Sequence, residues 1–155
     1  MATNIVKFVL LLIMSLLVGT MFGIWVGSNP APLSATAYVE TQQNAIRSLN
    51  SLLPALGAIC IILTATLALL LRGMPTSRNL LLAAVVCLVA AGVITRFRNQ
   101  PINSVVMTWS AQAPAANWTE LRETWWYWHI LRTVAGIAGL SLTLLAVLSS
   151  KNDAA

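Results

Sequence analysis

Trp118, Arg122, Trp125, His129, Arg132 and Gly136 recur at intervals that alternate four and three, and Thr143 follows one heptad later. At 100° per residue they fall on one helical stripe within about 80° of arc. An imidazole is the side chain best placed to move a proton near neutral pH. Guanidinium groups hold a developing anion, most effectively in a dry site. Tryptophans offer flat apolar walls. Arg132 and His129 stand at the start of the apolar run Ile130–Ser150. An arginine exposed to lipid costs about 2.5–3.5 kcal/mol on insertion scales, which predicts an interior position with a partner. Trp126, Tyr127 and Trp128 lie off the stripe and read as an aromatic belt at the membrane surface.

Partners for the stripe are concentrated in RFRNQPINSVVMTW, Arg96 to Trp109. Arg96 stands at the mouth of an apolar run, and Asn99, Pro101 and Asn103 read as a rigid turn whose amides bond inward. Trp109 adds a further wall. Tyr38, Gln42 and Gln43 supply polar groups from an earlier connection. One histidine and four scattered acids make neither a tetrahedral site nor a two-histidine, one-carboxylate site, so no metal is expected. Glycine-rich phosphate loops and nucleophile elbows are absent, and no other cofactor is expected. The pocket implied is cationic and tryptophan-walled, suited to a flat, apolar ligand that becomes an anion.

The elements that position these residues follow from composition. The 155 residues are 58% hydrophobic and only 8% charged, far below the roughly 25% charged residues of soluble domains. Four apolar runs stand out, and lipid offers backbone groups no partners, so each run must be helical. The fold class expected is all-α: an integral membrane four-helix bundle, with two longer polar connections on one side. One domain, residues 1–155, is expected, with helices at roughly 5–28, 50–71, 79–97 and 118–149. The first run exceeds the roughly 7–15 residues of a signal-peptide core and reads as a retained helix. Ser34 reads as an N-cap of a helix that continues into the second span with a kink at Pro54.

Four spans place both termini and the turn RGMPTSR, Arg72 to Arg78, on one side. Lys7, Arg72, Arg78 and Lys151 lie there against Asp153 alone, so that side is expected to be cytoplasmic. Function then collects at the opposite end, where the long connections lie. Ser15, Gly19, Gly23 and Gly27 form a small-residue face on the first helix, expected to pack inside the bundle, with a homo-oligomer interface as the alternative. Cys60 and Cys87 lie inside apolar runs and read as inert. The net charge of +5 is dispersed, so nucleic acid is not an expected partner; membrane lipid and a hydrophobic small molecule are.

These motifs together resemble a known family. GTMFGIW from Gly19, Tyr38, Gln42–Gln43, Pro54, the R-x-x-N-x-P-x-N run from Arg96 to Asn103, Trp109, and W-x-x-L-R-x-x-W-x-x-x-H-x-x-R-T from Trp118 to Thr133 are similar to the anthrone-oxygenase-like proteins. The resemblance covers nearly the whole chain. It implies a small four-helix membrane protein and a candidate activity, the oxidation of an anthrone to an anthraquinone by O₂ without metal or flavin. In that reading His129 is the base and Arg96, Arg122 and Arg132 stabilise the enolate. Trp109, Trp118 and Trp125 stack on the rings, and Asn99, Asn103, Tyr38 and Gln42 bind substrate. The alternative is a non-catalytic membrane protein that binds a lipid or quinone-like ligand, or an accessory subunit.

Overall fold

The structure, a computed structural model, describes residues 2–152, with side chains through Ser150. Lys151 and Asp153, which entered the charge reading, therefore lie outside the described side chains. Among the described residues the regular structure is helical: α1 (Ala2–Gly27), α2 (Ala35–Leu49), α3 (Leu52–Leu70), α4 (Pro75–Ile94), a π turn (Thr95–Asn99), α5 (Gln100–Val106) and α6 (Trp118–Asn152). Four helical stretches are long and apolar enough to cross a membrane: Ala2–Gly27, Leu52–Leu70, Pro75–Val106 and Trp118–Ser150.

Local sequence explains where the helices start and break. Ser34 caps α2, its hydroxyl accepting from the Ala37 N–H at 3.3 Å. Pro75 opens α4, where a missing N–H costs nothing. The helix expected to run from Ser34 through Pro54 is instead two helices, broken at Asn50–Ser51. The cause is still Pro54. Its nitrogen cannot donate to the carbonyl four residues back, and that carbonyl, Asn50 O, instead accepts from Gln100 Nε2 at 3.4 Å. The bend therefore appears one turn before the proline.

Asn99–Asn103 is likewise helical and not a turn. Pro101 would disrupt an α-helical ladder, and the chain widens into a π turn just before it, with the Gln100 N–H reaching Thr95 O. The third span thus continues unbroken into α5 and carries Arg96, Asn99 and Asn103 on one continuous rod.

Packing centres on α6, which lies against α4 and α1, while α3 closes against both of those. Leu10, Met14, Leu17, Leu67, Leu81 and Leu88 form the buried core. The tightest glycine contact is at Gly139 of α6, where an added Cβ would stand 3.2 Å from the Leu88 side chain on α4. The Ser15/Gly19/Gly23/Gly27 face does not serve this purpose. All four residues are exposed, and a Cβ at any of the three glycines would meet nothing within 4 Å. The expectation that this face packs within the chain is therefore overturned. The α1 core contacts come from its neighbouring stripe of Leu10, Met14, Leu17, Val18 and Met21.

At 1.5 Å per residue the 35 residues of α6 extend about 52 Å, well beyond a hydrocarbon core of about 30 Å. Its first turns rise among the connections at the loop end, and α2 lies across that end. Gln43 Nε2 on α2 donates to the carbonyls of Val106 (3.0 Å) and Trp109 (2.9 Å), tying the two long connections together. At the other end Lys7 Nζ donates to Ser150 Oγ at 2.6 Å, joining the first helix to the last.

Candidate functional site

The α6 stripe faces inward from its second member on: Arg122, Trp125, His129, Arg132, Gly136 and Thr143 are buried, as is neighbouring Thr133, while Trp118 is half-buried. His129 is fully enclosed, its ring parallel to Trp125 at 5.1 Å and near Trp126 at 5.6 Å. Trp126 therefore belongs partly to the interior, whereas Tyr127 is exposed as a belt residue should be.

Both ring nitrogens of His129 are engaged. Nε2 lies 3.1 Å from the Met21 carbonyl, which can only accept, so Nε2 carries the proton. Nδ1 then accepts from Arg132, whose Nε and Nη2 lie 3.2 and 3.0 Å away. The remaining arm, Arg132 Nη1, donates to Thr95 Oγ1 at 3.2 Å. The Thr95 hydroxyl in turn donates a hydrogen bond to the Ala91 carbonyl at 2.8 Å. Arg132 is thus a buried guanidinium held by neutral acceptors. The single ion pair among the described residues is Arg122 with Glu123. Three of the five guanidinium N–H groups donate these bonds.

Arg132 lies where two cavities meet. The first, about 270 Å³, sits under α2 at the loop end, between Tyr38, Gln42, Asn50, Asn103, Trp125 and Arg132. The second, about 220 Å³, runs down between the spans. Leu53, Pro54, Thr95 and Arg132 line both.

One polar network roofs the first cavity. Trp125 Nε1 donates to Asn103 Oδ1 at 2.8 Å, and Gln42 Nε2 reaches the same oxygen at 3.4 Å. Asn103 Nδ2 donates to Asn50 Oδ1 at 2.7 Å. Four elements are thereby fixed to one another: α2, α5, α6 and the break before α3. Beside the network, Tyr38 is buried and its hydroxyl has no hydrogen-bond partner. Burial pushes this phenol up to about 12, with Arg122 pulling the other way. It is therefore a neutral O–H at any physiological pH, available as a donor. Among the described residues Asn99 Oδ1 is the other unpartnered buried side-chain oxygen, while Asn99 Nδ2 donates to the Trp125 carbonyl at 3.0 Å.

The residues expected at the site separate into three groups. Arg132, Trp125, Asn103, Tyr38 and Gln42 line the first cavity, and Arg96 lines the second. His129 and Asn99 line neither; they stand behind Arg132 and Trp125. Arg122, Trp118 and Trp109 are structural neighbours of the roof. Arg122 lies over Trp118 at 4.9 Å and donates to Ala31 O, Trp118 packs on Tyr38, and Trp109 packs with Ile46, Ile102 and Trp125. The assignment of His129 as a free base does not fit this geometry, because its lone pair is given to Arg132. Thr95 and Asn50 were not anticipated. Both sit at helix irregularities caused by a proline, Thr95 opening the π turn and Asn50 preceding the α3 break, and Pro101 and Pro54 were the available signals.

No three histidine, cysteine or acidic side chains among the described residues come together as a metal site would require. No curated protein and no solved structure matches the chain. A family model described as anthrone oxygenase matches residues 43–142, more than half of the chain. The matched stretch holds Asn50, Thr95, Asn103, Trp125, His129 and Arg132, and leaves out α1 and Tyr38. The chain belongs to the anthrone oxygenase family.

Proposed function

We propose that the protein is a membrane oxygenase acting on a flat, enolisable aromatic molecule without a cofactor, with Arg132 as the residue that holds the substrate anion. The observation that carries this reading is a buried guanidinium that has no carboxylate partner, uses three of its five N–H groups and lines both cavities. A buried cation without an anion is costly, and an enolate oxygen supplies the missing charge. Tyr38, whose buried hydroxyl is an unpartnered neutral donor, and Trp125, an aromatic wall, line the first cavity with Arg132.

The reaction balances as substrate CH₂ plus O₂ giving C=O plus H₂O. The first C–H proton leaves as Arg132 stabilises the enolate. The carbanion carbon then adds O₂ and the distal oxygen takes up a proton. Loss of the second C–H proton with cleavage of the O–O bond gives the ketone and water. The methylene C–H of an anthrone is acidic because its anion is delocalised into both rings and the carbonyl, and a preorganised cation favours that anion further. No histidine or carboxylate lines either cavity. The first proton therefore goes to water at the loop end, and His129 serves as a positioning residue for Arg132.

The absence of a lining base also favours a second reading, a non-catalytic binder of a lipid or quinone-like anion, which needs Arg132 and Tyr38 but no proton acceptor. Oxygen uptake by purified protein with emodin anthrone, above autoxidation and detergent controls, separates the two. Uptake lost on Arg132→Leu supports the oxygenase. Tight binding of the product anthraquinone with no uptake leaves the binder. The acid-free turn between Arg72 and Arg78 supports a cytoplasmic location for the termini, which puts the cavities at the opposite face of the membrane.

A further inference from the structure

The second cavity is bounded by exposed residues of two helices long and apolar enough to cross a membrane. Its outer wall is made of small residues on adjacent spans, Gly57 and Ala58 on α3 and Ala91 and Gly92 on α4. Ala58 and Gly92 are exposed on the bilayer side, and a Cβ at Gly92 would meet nothing within 4 Å. Its inner end is Arg132 and Thr95, the same groups that bound the loop-end cavity. Its lining on α3 runs from Leu53 to Ile61, eight residue steps or about 12 Å along the helix axis. Neither cavity alone reaches the roughly 300–1,000 Å³ of ligand pockets, whereas the two joined at Arg132 do.

Resting on the oxygenase or binder reading of the loop-end cavity, we propose that the gap between α3 and α4 is a lateral portal from the bilayer and the seat of an aliphatic tail. The substrate is then a membrane-dissolved amphiphile. Its flat, ionisable head lies under α2 against Arg132 and Tyr38, and its tail runs down past Gly57 and Gly92 to the lipid. Moving a tail from bilayer into this chamber gains little from the hydrophobic effect, because lipid is equally apolar. The chamber therefore acts by admitting the tail, and blocking it excludes tailed molecules while sparing short ones.

The test uses full-length protein in lipid nanodiscs, with quenching of tryptophan fluorescence as the binding signal. The probes are dihydroxyanthrone and its homologues bearing a hexyl or dodecyl chain, and separately an alkyl carboxylate with a photoreactive diazirine at the tail end. Ala58→Trp and Gly92→Leu fill the chamber from either side, and their melting curves and size-exclusion profiles check that fold and oligomeric state are kept. The expected result is that either variant weakens the dodecyl homologue about tenfold or more, as overpacking costs of usual size imply, with the unsubstituted anthrone little changed. Cross-links from the diazirine should fall on α3 and α4 near Gly57 and Gly92. Equal affinities for all homologues in wild type and both variants would overturn the portal and give the chamber to bulk lipid. A wild type that ignores every anthrone yet cross-links the tailed carboxylate at Gly57 and Gly92 would sink the aromatic head and keep the portal. Failure of both probes would overturn both.

Discussion

His129 and Arg132 give the sharpest test, because two roles for the histidine make opposite predictions. In the structure His129 lines neither cavity and accepts two hydrogen bonds from Arg132, through which the proposed positioning role would act. His129→Phe keeps a ring against Trp125 and Trp126 but removes the acceptor, leaving the guanidinium with Thr95 alone. Hydrogen bonds to a charged group contribute about 1.5–3 kcal/mol, so a misplaced Arg132 should lower turnover or anion binding by roughly 10–150-fold. Arg132→Leu removes the anion holder and should cost about 10²–10³, as loss of an oxyanion donor does. The double variant should then be little worse than Arg132→Leu, with a coupling of about 1.5–3 kcal/mol in the cycle. His129→Asn, whose side-chain oxygen can replace Nδ1 as acceptor, should recover much of the loss with a pH profile shaped like that of wild type. The assay is anthrone-dependent O₂ uptake from about pH 5 to 9, with quenching by an anthraquinone anion for binding. Additive losses in the cycle, together with a pH limb that vanishes in His129→Asn, would refute the positioning role and restore the histidine as the base.

Tyr38→Phe removes a buried hydroxyl with no partner, so stability near neutral pH should be unchanged or raised while affinity for an anionic ligand falls. The folded phenol keeps its proton up to about 12 and the unfolded one releases it near 10. Stability is therefore full below about pH 10 and is lost toward pH 12, on the order of 3 kcal/mol, and thermal melts at increasing alkaline pH should show that loss in wild type and not in Tyr38→Phe. Gly23→Leu should leave the detergent melting curve unchanged or slightly raised, since its Cβ meets nothing and leucine favours helix by about 0.8 kcal/mol. Gly139→Leu should lower it by the equivalent of about 1–3 kcal/mol, because Leu88 and the Ala84 carbonyl already stand within 3.5 Å of the added Cβ; the opposite order would discard this packing of α4 on α6. A reporter fused after Ala155 should be active only in the cytoplasm, and activity on the far side would invert the topology.

What the sequence made legible was whatever a single helix determines by itself. The four apolar runs, the Ser34 cap and the inward stripe of α6 follow from periodicity and local bonding, and all three stand in the structure. What it concealed depended on relations between helices. The glycine face of α1 and Gly139 of α6 look alike as small residues, and only the position of Leu88 distinguishes a close approach from an exposed face. His129 and Arg132 are three apart, which puts them on one face but says nothing about which one the other shields from the cavity. That depends on the Met21 carbonyl, 108 residues away, which takes the Nε2 proton and leaves Nδ1 as the acceptor. Thr95 and Asn50 carry no chemical signature of their own. They become part of the site because Pro101 and Pro54 cannot continue an α-helical ladder, and the displaced backbone brings their polar groups to the cavity rim. A proline inside a membrane-length helical span thus marks a nearby polar residue upstream of it, where the regular ladder gives way.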